Sequence, residues 1–143
     1  MRIDRLRWAS WGLGLLVPTL LLAGCNDDEG KGYAPADCQR VKPGTGYLIV
    51  QCTVNNAHPS VPIKMYRGDY DQGIVVLRDT LAAPETEFEM PVGTRYSVMA
   101  TYLSGADTVL VLDTAELSVD SDDYEDATCY YVKTKRIDVR LKD

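Results

Sequence analysis

Residues 85–103 read ETEFEMPVGTRYSVMATYL, and this stretch decides the fold. Its first half alternates glutamates with Thr86, Phe88 and Met90, which gives the segment one acidic and one largely apolar face. A Pro-Val-Gly turn follows, and the second half then places an apolar side chain at every second position: Tyr96, Val98, Ala100 and Tyr102. A period of two is typical of β-strands with one buried face, so the stretch predicts two half-buried strands joined by a turn.

The same pattern recurs along the chain at a spacing of roughly ten residues, which is usual for sandwiches. Further strands are predicted at 47–54, 61–66, 74–77, 108–112, 129–134 and 136–141, with a weaker candidate at 115–119. The run 74–77 is continuously apolar, which suits a strand covered on both faces. Beyond residue 25 no segment places its apolar residues with the period of 3.6 that is typical of a helix. We therefore expect an all-β protein: a single two-layer antiparallel sandwich of about seven or eight short strands, an immunoglobulin-like or transthyretin-like Greek key.

The N-terminal segment 1–24 is of a different kind. Arg2, Arg5 and Arg7 precede a stretch, 8–24, that holds no charged residue. It ends in Leu22-Ala23-Gly24-Cys25, which resembles the lipobox of bacterial lipoproteins. The resemblance implies that 1–24 is a signal peptide and that the Cys25 thiol receives diacylglycerol, with an N-acyl chain after cleavage. Two or more acyl chains anchor a protein stably. An ordinary secreted protein and a transmembrane anchor are the alternatives.

The residues after the cysteine bear on where such a lipoprotein would lie. Asp27, Asp28 and Glu29 follow Asn26. They resemble the acidic export signal of Bacteroidota surface lipoproteins, which implies the outer face of the outer membrane. A periplasm-facing anchor and a merely solvated tether are the alternatives. Glycines and prolines punctuate 25–46, so we expect a lipidated N-terminus with a flexible tether there and the sandwich domain at 47–143.

Composition narrows the classes of function. The 143 residues carry a formal net charge of −6, and without the basic leader the charge is −8. An acidic chain lacks the basic patch that nucleic-acid binding needs. His58 is the only histidine, and no nucleophile elbow, zinc-protease motif or phosphate loop occurs. We therefore expect a protein that is not an enzyme and has no cofactor beyond the lipid on Cys25.

Three cysteines remain after Cys25. An exported chain meets an oxidising compartment, so one disulfide is expected. We favour Cys38–Cys129, which would fasten the tether to the domain. One alternative is a Cys52–Cys129 disulfide. The other is that all three thiols remain reduced. The wide spacing of the cysteines disfavours zinc.

Two further motifs have plain structural explanations. Acidic residues cluster before Cys129: Asp120, Asp122, Asp123, Glu125 and Asp126. A calcium site there is a minor alternative to a solvated acidic loop, since the EF-hand glycine and spacing are missing. The tripeptide Arg67-Gly68-Asp69 matches an integrin-type motif, but it is also ordinary turn chemistry.

The last prediction concerns a binding face formed by tyrosines. Seven of them, Tyr66, Tyr70, Tyr96, Tyr102, Tyr124, Tyr130 and Tyr131, could form a binding face, although a domain without Trp needs most of them in its core. We predict a surface lipoprotein that acts as a binding or envelope-assembly module with a protein or glycan partner. The alternatives are a glycan-binding accessory of a nutrient-uptake system, which needs an exposed tyrosine pair, and a periplasm-facing structural lipoprotein of a secretion apparatus.

Overall fold

The computed structural model describes residues 32–142. The lipobox, Cys25 and the acidic residues Asp27, Asp28 and Glu29 lie outside the described residues. Within that range the chain forms nine β-strands and no helix. The described residues therefore include no helix that could cross a membrane. The strands are β1 Thr45–Gln51, β2 Val61–Arg67, β3 Ile74–Leu81, β4 Glu85–Pro91, β5 Thr94–Ser104, β6 Asp107–Leu117, β7 Val119–Asp123, β8 Thr128–Val132 and β9 Lys135–Asp138.

The strands form two packed sheets and a hairpin. One sheet has the order β4-β1-β9, the other has the order β3-β2-β5-β6, and β7 pairs with β8 alone. The predicted all-β sandwich is confirmed. Its pairs are antiparallel with one exception, since β9 lies parallel to β1. The stretch 85–103 forms β4 and most of β5, and Gly93 supplies the positive φ of 74° that the turn between them requires.

The core lies between the two inner faces. Leu48, Val50 and Ile137 come from the three-stranded sheet, and Val139 follows its strand β9. The four-stranded sheet contributes Val61, Ile63, Met65, Tyr96, Val98, Ala100, Tyr102 and Leu117. The predicted alternation in 96–102 therefore matches the buried face. The Tyr102 hydroxyl accepts a hydrogen bond from Thr53 N at 2.9 Å and donates one to Val139 O at 2.8 Å. The buried hydroxyl group of Tyr102 therefore has a hydrogen-bond partner both as a donor and as an acceptor.

The prediction that 74–77 is covered on both faces is wrong. These residues begin β3, an edge strand of the four-stranded sheet, and Ile74 is 72% exposed. The register between β2 and β3 shifts at Met65/Tyr66, so β3 carries a bulge here. An edge strand has a neighbour on one side only, and nothing within the described chain packs over its outer face. Local hydrophobicity does not reveal this position, because it follows from the strand order.

The predicted acidic loop is confirmed for Glu125 and Asp126, which lie between β7 and β8, and is wrong for Asp120, Asp122 and Asp123. Residues 119–123 form β7, which pairs with β8 from Val119↔Val132 to Asp123↔Thr128. Asp120 lies 3.4 Å from Lys133 Nζ, and Asp123 accepts a hydrogen bond from the Thr128 hydroxyl at 2.8 Å. In the described chain β7 raises the strand number above the expected seven or eight, because Lys133 and the Thr128 hydroxyl offer partners to two of its carboxylates.

Candidate functional site

The domain has two distinct ends, and the register identifies them. At one end Thr45 pairs with Pro91 and Thr94 pairs with Leu117; the β7–β8 hairpin starts here, since Val132 packs against Gly46. We call this the tether end. At the opposite, far end lie Gln51, the loop 55–60 and the β5–β6 turn at Ser104–Asp107.

Residues 32–40 are attached to the β7–β8 hairpin. A disulfide joins Cys38 to Cys129, and Tyr130 N donates a hydrogen bond to Gln39 O at 2.8 Å. Further along, Ala34 N donates to Asp126 Oδ1 at 2.8 Å. The chain therefore enters the domain along β8 and the turn that precedes it, which is the tether end.

The predicted Cys38–Cys129 disulfide is confirmed, and the alternative Cys52–Cys129 is wrong. Cys52 is a buried free thiol whose Sγ lies 3.4 Å from Ala83 O. Burial raises the pKa of the Cys52 thiol, because desolvation disfavours the thiolate. Cys52 is thus an unreactive core residue at the far end, on the other side of the domain from Cys129.

The calcium candidates are not brought together. Asp126 accepts a hydrogen bond from Ala34 N and pairs with Arg40 Nη2 at 3.1 Å, and these contacts lower the pKa of its carboxyl group. Asp120 and Asp123 face Lys133 and Thr128, while Asp122 is exposed. Between residues 32 and 142 no three acidic, His or Cys side chains are placed to hold a metal ion. Among these carboxylates, Asp126 is the one that holds the tether segment, through Ala34 N and Arg40.

The Arg67-Gly68-Asp69 tripeptide closes the β2–β3 connection at the tether end. Gly68 has a φ of 91°, and the Ser97 hydroxyl donates to its carbonyl at 2.7 Å. Asp69 Oδ1 lies 3.4 Å from Arg95 Nη1. The tripeptide thus has a structural role as a turn, and its carboxylate has a partner within the domain.

The tyrosines divide between core and surface. Tyr96 and Tyr102 are buried, and Tyr66, Tyr124 and Tyr130 are half-buried. The exposed ones lie on separate elements: Tyr33, Tyr47, Tyr70 and Tyr131. In the described chain the single aromatic pair is His58 with Tyr102, whose ring centroids are 5.3 Å apart. The exposed tyrosine pair that a glycan-binding site would need does not form among these residues.

The far end carries a group of exposed apolar side chains. The pairing of β5 with β2 stops at Ala100, whereas the β5–β6 hairpin continues to Ser104 and Asp107. On the outer face of this projecting hairpin lie Leu103, 70% exposed, and Leu110, 58% exposed, with Leu112 next to them. We call Leu103, Leu110 and Leu112 the apolar patch. Large exposed apolar side chains in a group mark interaction surfaces.

Two depressions adjoin the apolar patch. A cleft of about 390 Å³ lies between the 57–62 segment and β5, and Leu103 forms one wall. A more open groove of about 440 Å³ shares Pro62 and Thr101 with it and is lined by Lys64 and Arg78. Sequence reasoning missed this surface. The uncharged run 108–112 was the available signal, since a strand with one solvated face should alternate with polar residues.

Comparisons with protein-family models, with curated proteins and with solved structures found no match for this chain.

Proposed function

We propose that the chain is a lipid-anchored lipoprotein of the bacterial outer membrane, exposed on the cell surface, that acts as a non-catalytic binding or envelope-assembly module. The sequence Leu22-Ala23-Gly24-Cys25 supports the anchor, and Asp27, Asp28 and Glu29 support export to the outer face. Its partner is a protein, because the apolar patch contains no aromatic pair for stacking against sugar rings.

One observation carries the proposal: the tether is attached at the end opposite to the apolar patch. Residues 26–31 can reach at most about 20 Å when fully extended. A lipid on Cys25 would therefore hold the β7–β8 hairpin close to the headgroups. The far end, with Leu103 and the adjoining cleft, would then point away from the membrane toward a partner.

The test is the location of the domain in intact cells. We expect a membrane-impermeant label and added protease to reach the wild-type domain without disruption of the outer membrane. The Cys25→Ala protein should lack the acyl chains and should be released or mislocalised. A triple variant, Asp27→Asn, Asp28→Asn and Glu29→Gln, should stay lipidated but become protected from the label.

Each part of this experiment has a result that would contradict the proposal. Absence of acyl chains on the wild-type protein would overturn the lipid anchor. Protection of the wild-type domain until the outer membrane is opened would overturn surface exposure and favour the periplasm-facing alternative. Full labelling of the triple variant would show that the acidic residues are only a solvated tether.

A further inference from the structure

One row of side chains crosses the outer face of the four-stranded sheet and changes in character along its length. The registers pair Arg78 with Lys64, Lys64 with Met99, and Met99 with Leu112, so the row takes one residue from each of β3, β2, β5 and β6. On β2 and β5 these residues alternate with core residues, and the row therefore points away from the core. We call Arg78, Lys64, Met99 and Leu112 the cross-strand row. Its first half is basic and its second half is apolar.

The basic half of the cross-strand row places two like charges directly opposite each other, which destabilises a pair of strands. Between residues 32 and 142 neither Lys64 nor Arg78 forms a salt bridge, whereas the other arginines except Arg67 each pair with a carboxylate. Asp79 follows Arg78 but faces the same side of the sheet as the buried Ile63, and its Oδ1 accepts a hydrogen bond from the next backbone N–H at 2.7 Å. In a chain with a formal net charge of −6, these two facing cations therefore lack a carboxylate of their own.

A groove begins next to the basic half of the row. The paired residues of β2 and β5 stop at Ile63, beside Pro62, which has no N–H to offer to a neighbouring strand. A groove of about 440 Å³ opens at this point and is lined by Lys64, Arg78 and Thr101. The cleft of about 390 Å³ shares Pro62 and Thr101 with it and continues toward the apolar patch. The two depressions thus connect the unpaired cations with the exposed leucines.

We propose that the cross-strand row is the docking site for an acidic, extended segment of a partner protein. A carboxylate of the partner lies between Lys64 and Arg78, and its apolar side chains cover Met99 and Leu112. Charge complementarity determines the acidic end, because an incoming carboxylate converts the repulsion between the two cations into two attractive contacts. The proposal rests on the proposed function, in which the partner is a protein, and it names the chemistry of that partner.

The length of the row fits a short extended segment. Neighbouring strands lie about 4.8 Å apart, so the row spans about 14 Å from Arg78 to Leu112. An extended segment rises about 3.4 Å per residue and points every second side chain to the same side. Five residues in the order acidic-any-apolar-any-apolar therefore place a carboxylate at the two cations, the first apolar side chain over Met99 and the second over Leu112.

A protein segment suits the row better than an acidic glycan does. The apolar half of the row adjoins Leu110, which is 58% exposed, and leucine side chains pack best against other apolar side chains. Sugar rings stack on exposed aromatic rings. On this face of the described strands the one tyrosine, Tyr66, is half-buried. An acidic glycan would therefore contact the cations and leave the apolar half uncovered.

Binding of probe peptides to the purified full-length protein tests the docking site. The probes are the fluorescent peptides Glu-Ser-Leu-Ser-Leu and Gln-Ser-Leu-Ser-Leu, each also in reversed order because the row does not fix the direction of the segment. Fluorescence anisotropy is followed as protein is added. We expect the better glutamate peptide to bind about fivefold more tightly than its glutamine counterpart, since the contacts with the two cations are partly exposed to solvent.

A charge-reversed variant and a matched control locate the binding. The Lys64→Glu, Arg78→Glu protein should lose the preference for the glutamate peptide. The Lys42→Glu, Arg67→Glu protein has the same change in net charge and should keep the preference, because both residues are exposed and lie outside the groove. The Lys64→Gln, Arg78→Gln protein is the milder variant, and it should melt at or above the wild-type temperature because the like-charge pair is gone.

Several results would overturn the docking site: equal affinities of the glutamate and glutamine peptides for the wild type, no binding of either up to about 1 mM, or a preference that survives both double variants at the row. Polygalacturonate is the third probe. If it binds the wild type more tightly than the peptides do, and the charge-reversed variant loses this binding, the row recognises an acidic glycan and the protein partner is wrong. These measurements use purified protein, so failure of the proposed surface location in intact cells is read separately and leaves them unchanged.

Discussion

Gly46 lies where β1 passes the base of the β7–β8 hairpin, and the close approach depends on its missing side chain. A Cβ at this position would overlap Cγ1 of Val132 and meet Leu117 Cδ2 at 3.4 Å. We expect Gly46→Ala to lower the free energy of unfolding by about 1–3 kcal/mol, as overpacking does. Urea denaturation measures the change.

Gly44→Ala is the matched control, since a Cβ there meets nothing within 4 Å. It should change stability by less than about 0.5 kcal/mol. Equal stabilities for the two variants would show that the hairpin base is not tightly packed against β1.

Asp138 is the residue from which a pH effect is expected. Its carboxylate accepts hydrogen bonds from the Arg140 side chain at 2.7 and 2.8 Å and from Arg140 N at 3.1 Å, which lowers its pKa from 3.8 to about 2. A lowered pKa in the folded state stabilises the fold at pH values above 3.8, and this stabilisation is lost as the pH falls through about 2.

We therefore expect Asp138→Asn to be less stable than the wild type at pH 5 and equally stable near pH 2. The difference at pH 5 should stay below about 1 kcal/mol, because the pair is partly exposed to solvent. Urea titrations across this range measure it, with Asp71→Asn as the control, an exposed residue without an ion pair or hydrogen bond in the described chain. A constant difference from pH 5 to pH 2 would rule out the protonation of Asp138 as its cause.

At the scale of elements, the tether segment 32–40 and the β7–β8 hairpin form one unit because Cys38 and Cys129 are joined across 91 residues. In the chain-entropy model such a loop stabilises the fold by about 4.6 kcal/mol. We expect reduction to lower the melting temperature and to expose the Arg40 peptide bond to trypsin. Cys52→Ala keeps the disulfide and should resist trypsin until a reductant is added. Rapid cleavage at Arg40 without reductant would show that the segment is not held.

Strand positions were largely readable from the sequence, but strand environments were not. The alternation in 96–102 predicted its buried face, because every second side chain of a strand points to the same side. The apolar run 74–77 predicted cover on both faces and instead lies at an edge. The acidic cluster 120–126 predicted a loop, but its first part, Asp120 to Asp123, pairs with β8. In both cases the deciding neighbour is distant in sequence.

At the scale of the whole molecule, the buried core and the disulfide belong to residues 38–139. We expect a chain of residues 32–143, produced in an oxidising compartment, to unfold cooperatively. Its melting temperature should lie within about 4 °C of that of the full-length protein, which corresponds to a difference in unfolding free energy below about 1 kcal/mol. Calorimetry measures both. A broad transition for the shorter chain would mean that residues 1–31 contribute to the fold.

The sequence by itself determined the all-β class, the positions of most strands, the favoured Cys38–Cys129 bond and the prediction of a lipid anchor at Cys25. These follow from local pattern and from chemistry that one segment carries. Only the tertiary structure decided that β9 runs parallel to β1, that β6 is the last strand of its sheet, and that the tether and the apolar patch lie at opposite ends. Those properties depend on which strands are neighbours, and the pairing energy that selects a neighbour comes from residues far away along the chain.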